Sequence, residues 1–99
     1  MNEQRVRGLL GMAARARQIT FGQDLCLEAI RKGKAAVALL DEAAAANTAK
    51  KIRDACTAGG TPLLVLPEGL LEDATGKGGR VTAVMTAGGL ADGIRSEIR

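Results

Sequence analysis

Histidine, tryptophan and tyrosine are absent from this 99-residue chain, and Phe21 is its only aromatic residue. Without histidine there is no Ser-His-Asp triad, no imidazole acid–base catalysis and no His-ligated metal. Without an aromatic platform, the RNA-binding modules that stack bases on a sheet surface, such as RRM and OB domains, are excluded as well. Any contact with nucleic acid must rest on backbone groups, polar side chains and Lys/Arg. Cysteine is scarce too: Cys26 and Cys56 are too few and too far apart for a zinc site or a disulfide framework, and read as reduced, buried thiols. No apolar run approaches the length of a membrane span, and Arg5 and Arg7 interrupt the N-terminus before a signal-peptide core could form. A cytoplasmic protein without membrane association is expected, with an Arg-rich transit peptide over residues 1–18 as the alternative.

What is present fits one globular domain spanning residues 1–99: the chain is 46% hydrophobic and 25% charged, away from the composition of disordered segments. Its 14 basic and 11 acidic groups leave +3, with a pI near 9.2. Residues 1–40 hold seven basic against three acidic groups, 41–76 three against six, and 77–99 four against two. Basic ends around an acidic middle suit a polyanion partner better than a neutral metabolite.

Val6, Leu9, Leu10 and Ala13 share one helical face, which predicts a helix from Gln4 to about Ala14. Ile19 and Thr20 suggest a very short strand. From Gly22 the helical period resumes through Cys26, Ala29 and Ile30, and Gly33 is placed to end it. Residues 35–40 are apolar without alternation, as in a strand covered on both faces. Asn47 or Thr48 is expected to cap a helix carrying Ile52, Ala55 and Cys56, stopped by Gly59-Gly60. Leu63–Leu66 and Val81–Met85 read as two further buried strands, with a short helix from Glu68 to about Thr75 between them. The last helix places Leu90, Ala91, Ile94 and Ile98 on one side. Strands alternating with helices predict an α/β protein: a three-layer α/β/α sandwich around a central parallel or mixed sheet.

Three features could carry chemistry. The loop Gly76-Lys77-Gly78-Gly79-Arg80 is glycine-rich and cationic, but it is no Walker A motif: no Ser or Thr follows the Lys, and the loop precedes a strand instead of following one. It can bring amides and two cations close to a phosphate backbone, or be a solvated turn. Gly22-Gln23-Asp24 opens a helix, where free amides receive anions and polar side chains can reach base edges; simple capping is the plainer reading. Lys50-Lys51 stands in the first turn of the helix expected from Asn47, where cations oppose the helix dipole. Asp41 and Glu42 lack the partner groups that an acid–base or Mg²⁺ role requires.

Taken in order, Gly8-Leu-Leu-Gly11, Gly22 at a helix start, Ala29-Ile-Arg-Lys-Gly-Lys34, Val37 to Leu40, Asn47-Thr-Ala-Lys-Lys-Ile52, Pro62 before a strand, and Gly76-Lys77 leading to Arg80-Val81 resemble the bacterial YlxQ-like proteins. These are members of the ribosomal-protein superfamily of kink-turn RNA binders usually written L-seven-Ae and L-thirty-e. The likeness spans nearly the whole chain, and Asn-Thr-x-Lys-Lys-Ile after the Ile-Arg-Lys-Gly-Lys helix end is its most specific part. The resemblance implies a mixed four-stranded sheet, no enzymatic activity, no cofactor, and structured RNA, ribosomal RNA among the candidates, as partner of a translation-apparatus protein. It also implies an RNA surface made of Gly22, Gln23 and Asp24, then Glu28 and Lys32 farther along the same helix, Asn47, and the loop residues Gly76, Lys77, Arg80 and Val81. Strong kink-turn binders carry Gly-x-Asn-Glu-x-x-Lys at the helix start; here the Asn, Glu and Lys positions hold Asp24, Leu25 and Glu28. A glutamate in place of a lysine near phosphates predicts weakened kink-turn affinity. A protein-interaction module on the same fold is the alternative function, suggested by the acidic middle segment.

Overall fold

The computed structural model describes residues 1–98. The elements follow in the order α1 (Glu3–Arg15), β1 (Ile19–Phe21), α2 (Gln23–Arg31), β2 (Val37–Asp41), α3 (Ala46–Gly59), β3 (Leu63–Leu66), α4 (Leu70–Thr75), β4 (Thr82–Met85) and α5 (Gly89–Arg95). The four strands form one mixed sheet in the order β1-β4-β2-β3, with β4 antiparallel to both β1 and β2, and β2 parallel to β3.

The unbroken apolar run of β2 divides its side chains between two cores, because successive residues point to opposite faces. Val37 and Leu39 join Ala83 and Met85 of β4 under α1, α4 and α5. Ala38 and Leu40 join Val84 under α2 and α3. All five residues of β2 are buried, as are all four of β4, which accounts for their lack of polar alternation. The expected α/β/α sandwich with a mixed four-stranded sheet is therefore the observed fold. Helix α1 contributes Val6, Leu10 and Ala13, all fully buried, so residues 3–15 belong to the folded core.

Several boundaries differ from the sequence expectation. The strand β3 lies at the edge of the sheet, so its burial alternates: Leu64 and Leu66 are buried while Val65 is 36% exposed. The helix α3 starts at Ala46 with Ala45 in the cap position and no side-chain cap, so neither Asn47 nor Thr48 caps it. Lys50 and Lys51 consequently stand beyond its first turn, and Lys50 pairs with Asp54 at 2.8 Å, an i,i+4 bridge that removes the conflict with the helix dipole. The helix α4 begins at Leu70, two residues later than Glu68, behind a left-handed Gly69. α5 ends at Arg95, so Ile98 reaches the core from the following turn, not from the helical face of Leu90, Ala91 and Ile94.

Helices α1 and α2 both end in the same paired arrangement of terminal hydrogen bonds. After α2, the Lys34 N–H donates to the Ala29 carbonyl (2.9 Å) and the Gly33 N–H to that of Ile30 (3.2 Å), with Gly33 left-handed at φ 69°. After α1, the Gln18 N–H donates to Ala13 (2.9 Å) and the Arg17 N–H to Ala14 (3.3 Å), but the left-handed residue, φ 57°, is Arg17. Among the described residues it is the one non-glycine with positive φ.

Candidate nucleic-acid interface

Strand pairing brings chain-distant segments to one end of the sheet. Phe21, the last residue of β1, pairs with Ala83, and Leu40 pairs with Thr82. The start of α2, the end of β2 and the loop entering β4 therefore meet at this end.

Gly22 makes the turn from β1 into α2 with φ 97° and ψ 139°, a backbone region that L side chains rarely adopt, and nothing would touch a Cβ there. Conformation, not space, requires the glycine. The first helical hydrogen bond runs from the Cys26 N–H to the Gly22 carbonyl (2.9 Å), and no side chain caps the helix. The amides of Gln23, Asp24 and Leu25 thus face outward at the positive end of the α2 dipole. Of the two residues that the plainer sequence reading offered as caps, Gly22 holds the N-cap position and Asp24 makes no side-chain cap.

Gln23 is held from the side. The Thr48 hydroxyl donates to its Oε1 at 2.8 Å, which ties the first turn of α3 to the first turn of α2 and brings the Asn47 region beside the helix start. Asn47 itself is exposed. The loop side is tied by Arg80, whose guanidinium carbon lies 5.7 Å from the centre of the Phe21 ring. Val81 anchors the same loop to the sheet, its carbonyl accepting from the Asp41 N–H at 2.8 Å. Gly76 and Gly79 turn the loop with φ 71° and 73°, and residues 76–80 are all exposed. Among the described residues, neither Lys77 nor Arg80 enters an ion pair.

The carboxylate of Asp41 braces this end. It is 5% exposed; Oδ1 accepts from the Ala43 N–H (2.7 Å) and Oδ2 from the Gly69 N–H (2.9 Å), joining the turn after β2 to the turn after β3. Both oxygens are thereby occupied in holding loops.

Glu28 and Lys32 lie farther along α2. They bond to each other, Nζ to Oε1 at 2.6 Å, and this hydrogen bond, with the charges of Lys32 and Lys34, holds the Glu28 carboxyl below its ordinary value of 4.5. Lys32 is the residue just past the end of α2, so it belongs by position to the opposite end of the sheet from Gly22. Between α2 and α3 runs an open cleft of about 700 Å³ lined by Gln23, Asp24, Arg31, Lys51 and Asp54 among others. Its walls carry both signs of charge and form no continuous cationic track.

Two contacts at this end have no sequence signal: Thr48 reads as a helix cap and meets Gln23 only because α2 packs against α3, and Phe21 meets Arg80 only through the β1–β4 register. The cysteines behave as small apolar residues. Cys26 and Cys56 are both buried, and burial pushes the Cys26 thiol up to about 11 and the Cys56 thiol upward as well.

No protein-family profile matches the chain. It is 39% identical over 89 residues to the RNA-binding protein YlxQ of Bacillus subtilis strain 168, covering 89% of each chain. Identity is 36% over 53 residues to the RNA-binding protein YlxQ of Enterococcus faecium, covering 54% of this chain and 52% of that one. Among solved structures, a protein of unknown function from Bacillus halodurans C superposes with TM-score 0.86 at 30% identity over 92% of this chain and 93% of the other. The 15.5kD RNA binding protein of Giardia lamblia shares the fold, with TM-score 0.76 at 18% identity over 96% and 85% of the two chains. Identity of 39% sustained across 89% of both chains leaves one assignment: this chain belongs to the YlxQ family.

Proposed function

We propose that this chain is a non-catalytic RNA-binding protein of the translation apparatus, acting in the cytoplasm, and that it takes structured RNA of the kink-turn type at the end of the sheet where Gly22, Gln23, Asp24, Asn47, Lys77, Arg80 and Val81 converge. One observation carries the reading. Three segments distant in sequence are fastened together there by the Thr48–Gln23 hydrogen bond, the Arg80–Phe21 contact and the β1–β4 pairing, around a helix start whose amides have no side-chain cap. The names of the B. subtilis and E. faecium relatives agree with it.

The chemistry divides along the surface. Amides at the start of α2 suit phosphate or another anionic oxygen, while the side chains of Gln23 and Asp24 can meet base edges. Lys77 and Arg80, on a loop that two left-handed glycines let approach closely, suit phosphates. Lys77→Ala together with Arg80→Ala should lower RNA affinity by a similar factor for every RNA bound and flatten the dependence on salt. A double variant with the slope of the parent removes the loop from the site.

A second reading is favoured by the carboxylates at the same end: Asp24, Glu42 and Glu68 are exposed or half-exposed there and suit a basic protein segment. Capture of a basic protein partner that weakens as salt rises, by a chain that binds no RNA, would select that reading.

A further inference from the structure

Charge is segregated between the two ends of the sheet. The segments closing the end at Gly22 (residues 22–24, 41–48, 67–69 and 76–81) hold two cations, Lys77 and Arg80, against four carboxylates, Asp24, Asp41, Glu42 and Glu68. Those closing the other end (residues 16–18, 31–36, 59–62 and 86–89) hold four cations, Arg17, Arg31, Lys32 and Lys34, and no carboxylate. The end with the groups suited to reading RNA is thus the one whose charge repels it.

The cations stand at the β1, β4 and β2 part of this end, and the segment entering β3 carries none. Ile19 and Val37 both pair with Met85, and their strands flank β4, so the chain entering β1 and the chain entering β2 stand two strand spacings apart, about 10 Å. The Thr86 N–H donates to the Gln18 carbonyl (3.1 Å) and the Ala36 N–H to the Met85 carbonyl (2.8 Å), which fixes both entering segments on β4. Arg17, Arg31, Lys32 and Lys34 are all exposed, and only Lys32 has an ion-pair partner among the described residues. Arg15 stands apart: its guanidinium folds back over Gly11. Arg31 ends α2 and Lys32 is its C-cap, where the helix dipole favours a cation; Arg17 and Lys34 lie one and two residues beyond the C-caps of α1 and α2.

A shallow groove lies alongside α2 from Leu25 to Lys34. Thr20, Leu25, Glu28, Ala29, Lys32 and Lys34 line it between α2 and the edge strand β1. At about 160 Å³ it is too small and open to seat a ligand, for which several hundred Å³ is usual, but it runs beside α2, whose nine residues span about 13 Å.

We propose that the cationic end is a second RNA contact, one that holds phosphate backbone without reading sequence, so that a bound RNA passes from the start of α2 along this groove to Arg17, Arg31, Lys32 and Lys34. This rests on the RNA-binding reading above. It adds phosphate affinity at the end opposite Gly22 to that of Lys77 and Arg80, and leaves recognition at the start of α2. Glu28 is the opposing element: it occupies Lys32 and faces Lys34, and so withholds part of the cationic end from RNA.

The test titrates the full chain with a kink-turn RNA hairpin and with a plain RNA duplex of equal length over a range of salt. In Arg17→Gln with Lys34→Gln, affinity should fall about tenfold for both RNAs at low salt, and the slope of log K against log salt should shrink by about two, one for each cation withdrawn from a phosphate. The ratio between the two RNAs should stay that of the parent. Glu28→Gln, which frees Lys32, should strengthen both RNAs equally. Arg17→Lys with Lys34→Arg keeps the charge and should bind as the parent does; thermal unfolding of each variant separates weakened binding from a damaged fold. If the parent binds RNA and the Gln pair leaves slope and affinity unchanged, the second contact is wrong and the RNA-binding reading survives. If the pair alters the ratio between the two RNAs, this end reads structure and the division of labour is wrong. A parent that binds neither RNA overturns both.

Discussion

Arg17 occupies a backbone conformation that costs an L residue free energy, and removing that cost should stabilise the protein. Its φ of 57° completes the hydrogen bonds that end α1, a position that glycine fills after α2. The left-handed region costs a residue with a Cβ about 1–2 kcal/mol. A glycine there escapes the strain but widens the unfolded ensemble, which costs about 0.5–1 kcal/mol. Nothing else changes on the folded side: Arg17 is exposed and, among the described residues, in no ion pair. Arg17→Gly should therefore gain about 0.5–1 kcal/mol, which for a domain of this size raises Tm by about 3–6 °C. Arg17→Ala is the control, since it removes the guanidinium and keeps the strain, and should leave Tm near the parent. The assay is thermal unfolding of all three proteins followed by circular dichroism in one buffer. A glycine variant no more stable than the alanine variant would refute the strain. The second RNA contact adds a cost to the same change: Arg17→Gly should lose about one unit of salt slope in RNA binding, so the more stable protein is the weaker binder.

Restoring the superfamily pattern at the start of α2 with Asp24→Asn, Leu25→Glu and Glu28→Lys should favour a kink-turn RNA over a plain duplex by at least about tenfold, or ~1.4 kcal/mol, through base-edge bonds and removed repulsion; an equal gain on both RNAs would mean that only charge has changed. Thiol reagents should label the native protein slowly, because both cysteines are buried and their thiols are pushed upward; rapid modification of either would contradict that placement. Glu97 links the chain after α5 to the start of α1, accepting from the Asn2 N–H (2.6 Å) and from Arg5 (2.7 Å), and these bonds hold its carboxyl below the ordinary 4.5. A depressed folded-state value contributes stability above pH 4.5 that is lost as pH falls through it, so Glu97→Gln should flatten the acid limb of the stability profile and leave its neutral-to-alkaline side parallel to the parent. Identical acid limbs would show the link to be without consequence.

The architecture was legible where local pattern and tertiary environment agree. The apolar run over residues 35–40 announces a strand buried on both faces, found at Val37–Asp41, and Gly33 after Arg31-Lys32 announces the end of α2, which is where expected. Position within the sheet was not legible, because Leu63–Leu66 is as apolar as a central strand and only the pairing order makes Val65 an edge residue. Nor was the start of α3, where Asn47 and Thr48 have the chemistry of caps but the turn held by Asp41 starts the helix one residue before Asn47. Arg17 is invisible for a related reason: arginine carries no turn signal, and a left-handed arginine is imposed by the junction of α1 with β1. For the proposed interface, resemblance supplied the candidate residues and the fold supplied their arrangement. Gly22, Gln23 and Arg80 share one end because β1 pairs with β4, and Lys32 goes to the other end because it stands past the last turn of α2.

The most direct test is equilibrium binding of the unmodified chain to a kink-turn RNA and to a matched duplex at several salt concentrations, with Lys77→Ala/Arg80→Ala titrated alongside. The account predicts that log K falls linearly with log salt for both RNAs, and that the double variant loses about two units of that slope. Binding that does not respond to salt, or no binding to either RNA, would contradict it.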